Sequence, residues 1–285
     1  MYCQVCNANS LKPVSEIQLK TAKGFVATPI SKCIDCGTYN RNCDYESSDI
    51  KSHFDVVSYN NIDNETHYYN SRKHFYSFIL KIIEKYSRTP FNRSRLLDIG
   101  CSYGHMMEYF KQKNISVTGL EIVDSLRNRL SERGYSVFKY FDDLPKKKSF
   151  DVISFVDSLY CFENPLNILV STEKILHHDG ILILRITNRT PILNILTFFN
   201  KPIPYAFFGD CKHSFSYKGV KILLEKAGFE IHKIFYQEKG KHVPFGRHYQ
   251  QQLKWLYYKI SPILSSIFSV KWSPGLIIVC KKRKY

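Results

Sequence analysis

Carboxylates are scarce in this 285-residue sequence: 25 Asp and Glu stand against 41 Lys and Arg, for a net charge of +16. That balance favours an anionic partner: nucleic acid, an acidic membrane surface or a phosphorylated small molecule. Long apolar runs are also missing. The longest, GILILRI and GLIIVC, fall far short of a bilayer, so no transmembrane segment is expected. MYCQVCNANS has no basic stretch leading into an apolar one, so no secretory leader is expected and a cytoplasmic location follows. The nine cysteines then read as thiols or metal ligands rather than disulfides. No low-complexity segment and no internal repeat is visible, and 44% hydrophobic content excludes a disordered chain. A chain of this length can bury a full core, which fits one large domain and a small appendage.

Two C-x2-C pairs stand near the start, CQVC (Cys3, Cys6) and CIDCG (Cys33, Cys36), with 26 residues between them. Each pair can curl into a tight turn, and two such turns complete the tetrahedral sulfur shell that Zn²⁺ prefers. Gly37 suits a knuckle whose backbone turns with positive φ. EIQLKTAKGFVATPI, between the pairs, reads as a hairpin. Four cysteines leave no open coordination position, so the zinc is expected to be structural. Residues 1–45 form this ribbon module, and 46–70 read as a polar linker.

Strand and helix patterns then alternate. Helical spacing from THYYNSRKHFYSFILKIIEKY is followed by RLLDIG (strand), HMMEYFKQK (helix), SVTGLEI (strand), DSLRNRLSERG (helix) and the strands YSVFKY and FDVISFV. NPLNILVSTEKILHHDG reads as a helix ended by a glycine, with His177 and His178 in its last turn, before the strand GILILRIT. SYKGVKILLEKAGF (helix), EIHKIFYQ and GLIIVCKK (strands) complete the chain, and 241–272 interrupts it with a helical, aromatic-rich insert. The order predicts an α/β, Rossmann-like, doubly wound and mostly parallel seven-stranded sheet over 71–285.

In SRLLDIGCSYGHMMEYF, Asp98, Gly100 and Gly104 stand where the first strand of this sheet meets a helix. Gly100 permits a sharp turn, Gly104 permits close approach of a ligand or helix, and Asp98 can accept from an ammonium group. Glu121 ends the next strand, 21 residues after Gly100, where a carboxylate can accept from both hydroxyls of a ribose. The pair points to a nucleoside-containing ligand, with NAD and other adenosine cofactors both open.

LLDIGCSYG, VTGLEI, FDVISFVDSLYCFENP and HSFSYKGVKILLEKAGFEI occur in that order. Together they resemble class I S-adenosylmethionine-dependent methyltransferases over about residues 65–285, closest to a bacterial group with an N-terminal zinc ribbon that includes sugar methyltransferases. The resemblance implies that Asp98, Gly100 and Gly104 line the methionine end of the cofactor, with Cys101 in the cofactor-binding loop between them. Glu121 would hold the ribose and Ile122 would pack on the adenine. Asp142, or alternatively Asp143, would face the adenine amino group, and Asp157 would lie near the sulfonium. Tyr69 and Arg72 resemble a segment that covers the cofactor in relatives.

Many relatives carry Glu-His where this chain has Tyr160-Cys161. His213, expected on a loop over the cleft after the fifth strand, is the first candidate for the base, and Tyr160 the second. The substrate class expected is a small anionic molecule, a nucleotide-linked or polysaccharide sugar. RNA is the alternative, since the basic charge and KKRKY suit phosphate contacts, and a non-catalytic binding protein is a third reading.

Overall fold

The structure is a computed structural model that describes residues 2–21, 24–41, 62–144, 150–204, 208, 211–235, 256, 259–261, 263, 273 and 275–283. Most of the insert expected at 241–272, and the linker residues up to 61, lie outside the described residues. The helix α1 (Ile62–Tyr86) starts inside the segment read as linker.

Two sheets are present among the described residues. The larger has seven strands: β4 (Arg95–Ile99), β5 (Ser116–Leu120), β6 (Ser136–Phe138), β7 (Phe150–Val156), β8 (Leu176–Thr187), β10 (Phe229–Phe235) and β11 (Gly275–Lys282). Their order is β10-β11-β8-β7-β4-β5-β6. Every pairing from β8 to β6 is parallel, and β11 alone runs against its neighbours. The chain reverses its direction of travel across the sheet between β4 and β7. In an open α/β sheet the ligand crevice lies at that switch point, beyond the carboxyl ends of the strands.

The helices are α2 (His105–Lys111), α3 (Asp124–Glu132), α4 (Pro165–Ile175), α5 (Thr190–Phe198) and α6 (Tyr217–Lys226). The strands bury both faces because side chains alternate across the sheet. Leu97, Ile153, Leu182 and Ile278 pack with Leu169 of α4 and Val220 and Leu223 of α6. Their chain neighbours Leu96, Val152, Ile183 and Val279 pack with Phe75, Ile79 and Ile83 of α1 and Phe110 of α2. Truncating one such buried side chain, Phe110→Ala for instance, costs about 3–5 kcal/mol by comparison with core phenylalanines generally.

The smaller sheet has the order β1-β2-β3-β9: β1 (Leu11–Thr21) and β2 (Gly24–Cys33) form the expected hairpin, followed by β3 (Tyr39–Arg41) and β9 (His213–Ser214). The strand β9 comes from the main domain, so the ribbon is joined to it rather than appended. Asn40 pairs with His213 and Tyr39 with Ser214. Ser216 strengthens the seam: its Oγ caps α6 by accepting from Gly219 N at 2.8 Å, and it donates to Cys36 O. A Cβ on Gly219 would stand 2.3 Å from Thr38 Oγ1, so helix and ribbon approach closely there.

Two expectations need correction. His177 and His178 do not end a helix; α4 stops at Ile175 and the chain enters β8 directly at Leu176. The β7–β8 ladder steps from Leu176 to Ile181, so His177–Gly180 bulge out of register. His213 is not on a loop over the cleft, because backbone pairing with β3 draws it into the seam with the ribbon.

Candidate active site and metal centre

The crevice is built at the ends of β4 and β5. Gly100 turns the chain with φ +75°, and a Cβ there would come 2.5 Å from Ser158 Cβ. The loop closes on its neighbour through Gly100 N and Cys101 N, which both donate to Leu120 O at 2.8 and 3.1 Å. Gly104 (φ +73°) opens α2, pressed against Leu130. Ser102, between them, also holds a positive φ of 51°.

Glu121 is buried at the end of β5 and ties this loop to the next one. Its Oε2 accepts from Ser102 N at 2.8 Å and its Oε1 from Val123 N at 2.9 Å. The Ile122 backbone N–H acts on the same carboxylate, a third backbone donor beside Ser102 N and Val123 N. Burial pushes the carboxyl upward in pKa, against the pull of those backbone bonds. Asp98 is buried beside it and accepts from Ser154 Oγ at 2.9 Å. Burial first, and the Glu121 charge after it, raise Asp98 to about 7, with the Ser154 bond acting in the opposite sense.

Ile122, next to Glu121, is 53% exposed, an apolar platform at the rim of the crevice. Asp142 and Asp143 are both exposed after β6, but only Asp143 is committed to the fold, accepting from Tyr140 N at 2.9 Å. Asp142, the first choice from the resemblance, has no such bond to the turn, whereas the alternative, Asp143, does. Cys101, expected in the loop between the two glycines, is buried there. Its thiol packs inward against Gly119 and Met107, so only its backbone faces the loop, and burial pushes its pKa well up.

On the other side of the switch point Asp157 holds a left-handed φ of 59° at the end of β7. Its carboxylate pairs with Arg185 of β8, stands 3.7 Å from Arg72 of α1 and accepts from Thr187 Oγ1 at 3.3 Å. Tyr69, one turn before Arg72, packs its ring against His105 at 5.7 Å, and His105 stacks on Tyr103 at 5.4 Å. Asp98, Gly100, Gly104, Glu121 and Ile122 thus gather at the carboxyl ends of β4 and β5 and Asp157 at that of β7, with Arg72 against Asp157 and Tyr69 against His105.

Tyr160 is half-buried under Arg189, whose guanidinium lies 5.8 Å from its ring centre. Burial, then the Asp157 charge, push its phenol well above the ordinary range. His213 is buried, with Nδ1 3.0 Å from Asn40 Oδ1 and Nε2 3.0 Å from Phe162 O. Burial lowers it to about 4, although the bonds to Glu163 O and Phe162 O pull upward. The sequence reading passed over Arg185, Arg189 and Ser154; nothing in their local spacing marks them, since strand pairing and chain crossing bring them in.

The four cysteines expected to bind metal also converge. The Sγ atoms of Cys3, Cys6, Cys33 and Cys36 all lie within 4.8 Å of one another, with Cys3–Cys36 at 3.7 Å and Cys6–Cys33 at 3.5 Å. A tetrahedral shell with Zn–S near 2.3 Å needs sulfurs about 3.8 Å apart, so this set fits zinc. Each knuckle turns on a left-handed residue directly after its second cysteine, Asn7 (φ 62°) and Gly37 (φ 74°). Asn7 N donates to Cys3 O and Gly37 N to Cys33 O, both at 2.8 Å.

Residues 70–234, more than half of the sequence, match the methyltransferase domain family. The chain belongs to that family. Within it, the ubiquinone biosynthesis O-methyltransferases of two Actinobacillus pleuropneumoniae strains are 28% identical over 109 residues, 34% of this chain and 47% of theirs. The chain thus spans about half the length of the curated relatives it matches. Two solved structures share the fold of this methyltransferase domain. One is a Thermotoga maritima S-adenosylmethionine-dependent methyltransferase with 18% identity and a TM-score of 0.51, covering 82% of this chain and all (100%) of the other. The second is a chain in the complex of the Haloferax volcanii Trm112 methyltransferase activator with a methyltransferase, with 11% identity, a TM-score of 0.55 and 83% and 98% coverage. The family match takes in every candidate from Arg72 to Asp157, whereas the cysteine cluster lies outside it.

Proposed function

We propose that the protein transfers a methyl group from S-adenosylmethionine to a small anionic acceptor, a phosphate-bearing or acidic sugar being the preferred class. The observation that carries the cofactor half is the pair of buried carboxylates, Asp98 and Glu121, bracketing the Gly100 turn. When bound, S-adenosylmethionine supplies a sulfonium methyl that an acceptor lone pair displaces in line, so the protein's task is mainly alignment. Asp98 offers a carboxylate to an ammonium group. Glu121, already fixed by Ser102 N and Val123 N, presents its remaining acceptor capacity to hydroxyl donors. Ile122 and Asp142 offer an apolar face and an acceptor for a purine at the rim.

The anionic acceptor is supported by charge in the same crevice. Arg72, Arg185 and Arg189 gather around the single carboxylate of Asp157, while Lys212 pairs with the exposed Glu163. A diphosphate or carboxylate there would meet guanidinium donors in the fork geometry it favours. His213, enclosed between Asn40 and the carbonyls after β7, acts in this reading as a positioning residue rather than the base. Tyr160 keeps its proton and donates a hydrogen bond rather than accepting a proton. Zinc in the cysteine cluster is structural.

RNA is the second reading, supported by the net charge of +16 and the KKRKY segment. Label transfer from methyl-tritiated S-adenosylmethionine into fractionated extract, with and without ribonuclease, separates the two. Label in small anionic molecules or polysaccharide is the expected result. Ribonuclease-sensitive label moves the acceptor to RNA, and absence of label from every fraction overturns the activity.

A further inference from the structure

Two cysteines stand outside both the metal cluster and the cofactor crevice's polar set. Cys161 ends the short turn Leu159–Cys161 after β7, and Cys211 lies just before β9. Lys212 N donates to Tyr160 O at 3.0 Å, which sets the two segments side by side. Cys161, which follows Tyr160, and Cys211, which precedes Lys212, flank that bond, and the Cys161 thiol acts on the Cys211 sulfur. Arg189 Nη1 donates to the Cys211 sulfur at 3.4 Å, and the same nitrogen donates to Phe208 O at 3.4 Å. With its plane over the Tyr160 ring, the guanidinium is held on the sulfur from two sides.

A thiol reacts as thiolate, and a fixed cation with a second hydrogen-bond donor is the environment that yields one. The Cys161 hydrogen bond and the Arg189 charge bring Cys211 down to about 7, against burial and the Asp157 charge. Cys101 and Cys280 have no such cation; burial alone dominates, and both are pushed upward. Cys211, 7% exposed beside the partly exposed Cys161, thus combines a thiolate-stabilising cation with a neighbouring thiol.

We propose that Cys211 and Cys161 are a peroxide-reactive pair, with Cys211 the attacking sulfur, Cys161 the resolving one and Arg189 the activating cation. The Cys211 thiolate attacks a peroxide oxygen; the O–O bond breaks, leaving Cys211 sulfenic acid and hydroxide. The Cys161 thiol then attacks the Cys211 sulfur, the S–O bond breaks, and the oxygen leaves as water with the Cys161 proton. One disulfide forms, and the two electrons of the thiol pair reduce the peroxide. The bond would lock the turn after β7 to the segment before β9, at the acceptor side of the crevice.

The test uses the full zinc-loaded chain, hydrogen peroxide, alkylation of the remaining thiols and non-reducing peptide mass mapping, with zinc measured in parallel. The proposal expects a dithiothreitol-reversible Cys161–Cys211 link at peroxide concentrations that leave zinc bound. It also expects that Cys161→Ser stops at a Cys211 sulfenic acid captured by dimedone. Arg189→Gln should slow Cys211 modification about fivefold, through a smaller thiolate fraction, while Arg189→Lys keeps most of the rate. Zinc content and circular dichroism confirm that each variant is folded. Zinc loss before any Cys211 modification, Cys211 linked elsewhere, or folded Arg189→Gln reacting at the wild-type rate would each overturn it. None of these readouts depends on the methyl acceptor.

Discussion

Gly100 meets two constraints at once: a φ of +75° and a neighbour, Ser158 Cβ, 2.5 Å from where a Cβ would stand. Gly100→Ala is expected to cost about 2 kcal/mol or more, read as a lower denaturation midpoint. Glu121→Ala removes the carboxylate that fixes Ser102 N and Val123 N, and should weaken S-adenosylmethionine binding at least tenfold, on the order of 1.4 kcal/mol, by titration calorimetry. Asp98 gives a pH test. Raised to about 7 in the free protein, it is largely protonated at pH 6 and must lose that proton to receive an ammonium group. Cofactor affinity should therefore rise about tenfold from pH 6 to pH 8, and Asp98→Asn should bind weakly with no such slope. These residues were legible in the sequence because glycines and acids at a strand–helix seam carry local chemistry. The capping role of Asp143 was not legible there, since only the turn geometry shows it.

At the scale of elements, β9 is the feature the sequence concealed. Two residues carry no periodicity, and their partner, β3, lies more than a hundred residues away in the chain. His213 thus read as a loop histidine when it is a buried link between the ribbon and the turn after β7. Because its pKa is lowered to about 4, the folded state stays neutral while the unfolded chain protonates near 6.5. Its contribution to stability is complete above pH 6.5 and is lost as pH falls toward 4, by on the order of 3 kcal/mol. Asp98, raised rather than lowered, works the other way across much of the same range: its burial weakens the fold as pH climbs from about 4 to 7. The wild-type stability curve reports the difference of the two. Urea titrations across this range should show His213→Gln with a flatter acid limb than its parent; an unchanged limb would remove the buried-neutral assignment. The seven-stranded sheet was legible because β/α alternation and short apolar runs are local signals. The His177–Gly180 bulge was not, since HHDG after a helical run looks like a helix end.

At the scale of the molecule, ribbon and domain share one core: Cys3, Val5, Cys33 and Cys36 are buried with Phe215, Val220 and Leu223. Lys226 Nζ adds a bond to Cys6 O at 2.7 Å. Metal removal should therefore lower the melting temperature of the whole chain in one transition, rather than releasing an independent ribbon below an intact domain. Elemental analysis should find one zinc per chain, and Cys36→Ser should lose both the metal and the same increment of stability. The sequence pairs of cysteines announced the four-cysteine cluster, whereas the fusion of the two parts depended on contacts no spacing records.

The most direct test of the central claim is calorimetric titration of the zinc-loaded chain with S-adenosylmethionine at pH 8. One site per chain is expected, with binding weakened by Glu121→Ala. A folded, zinc-bound protein that gives no binding heat across several temperatures, or binds equally well without Glu121, would contradict it.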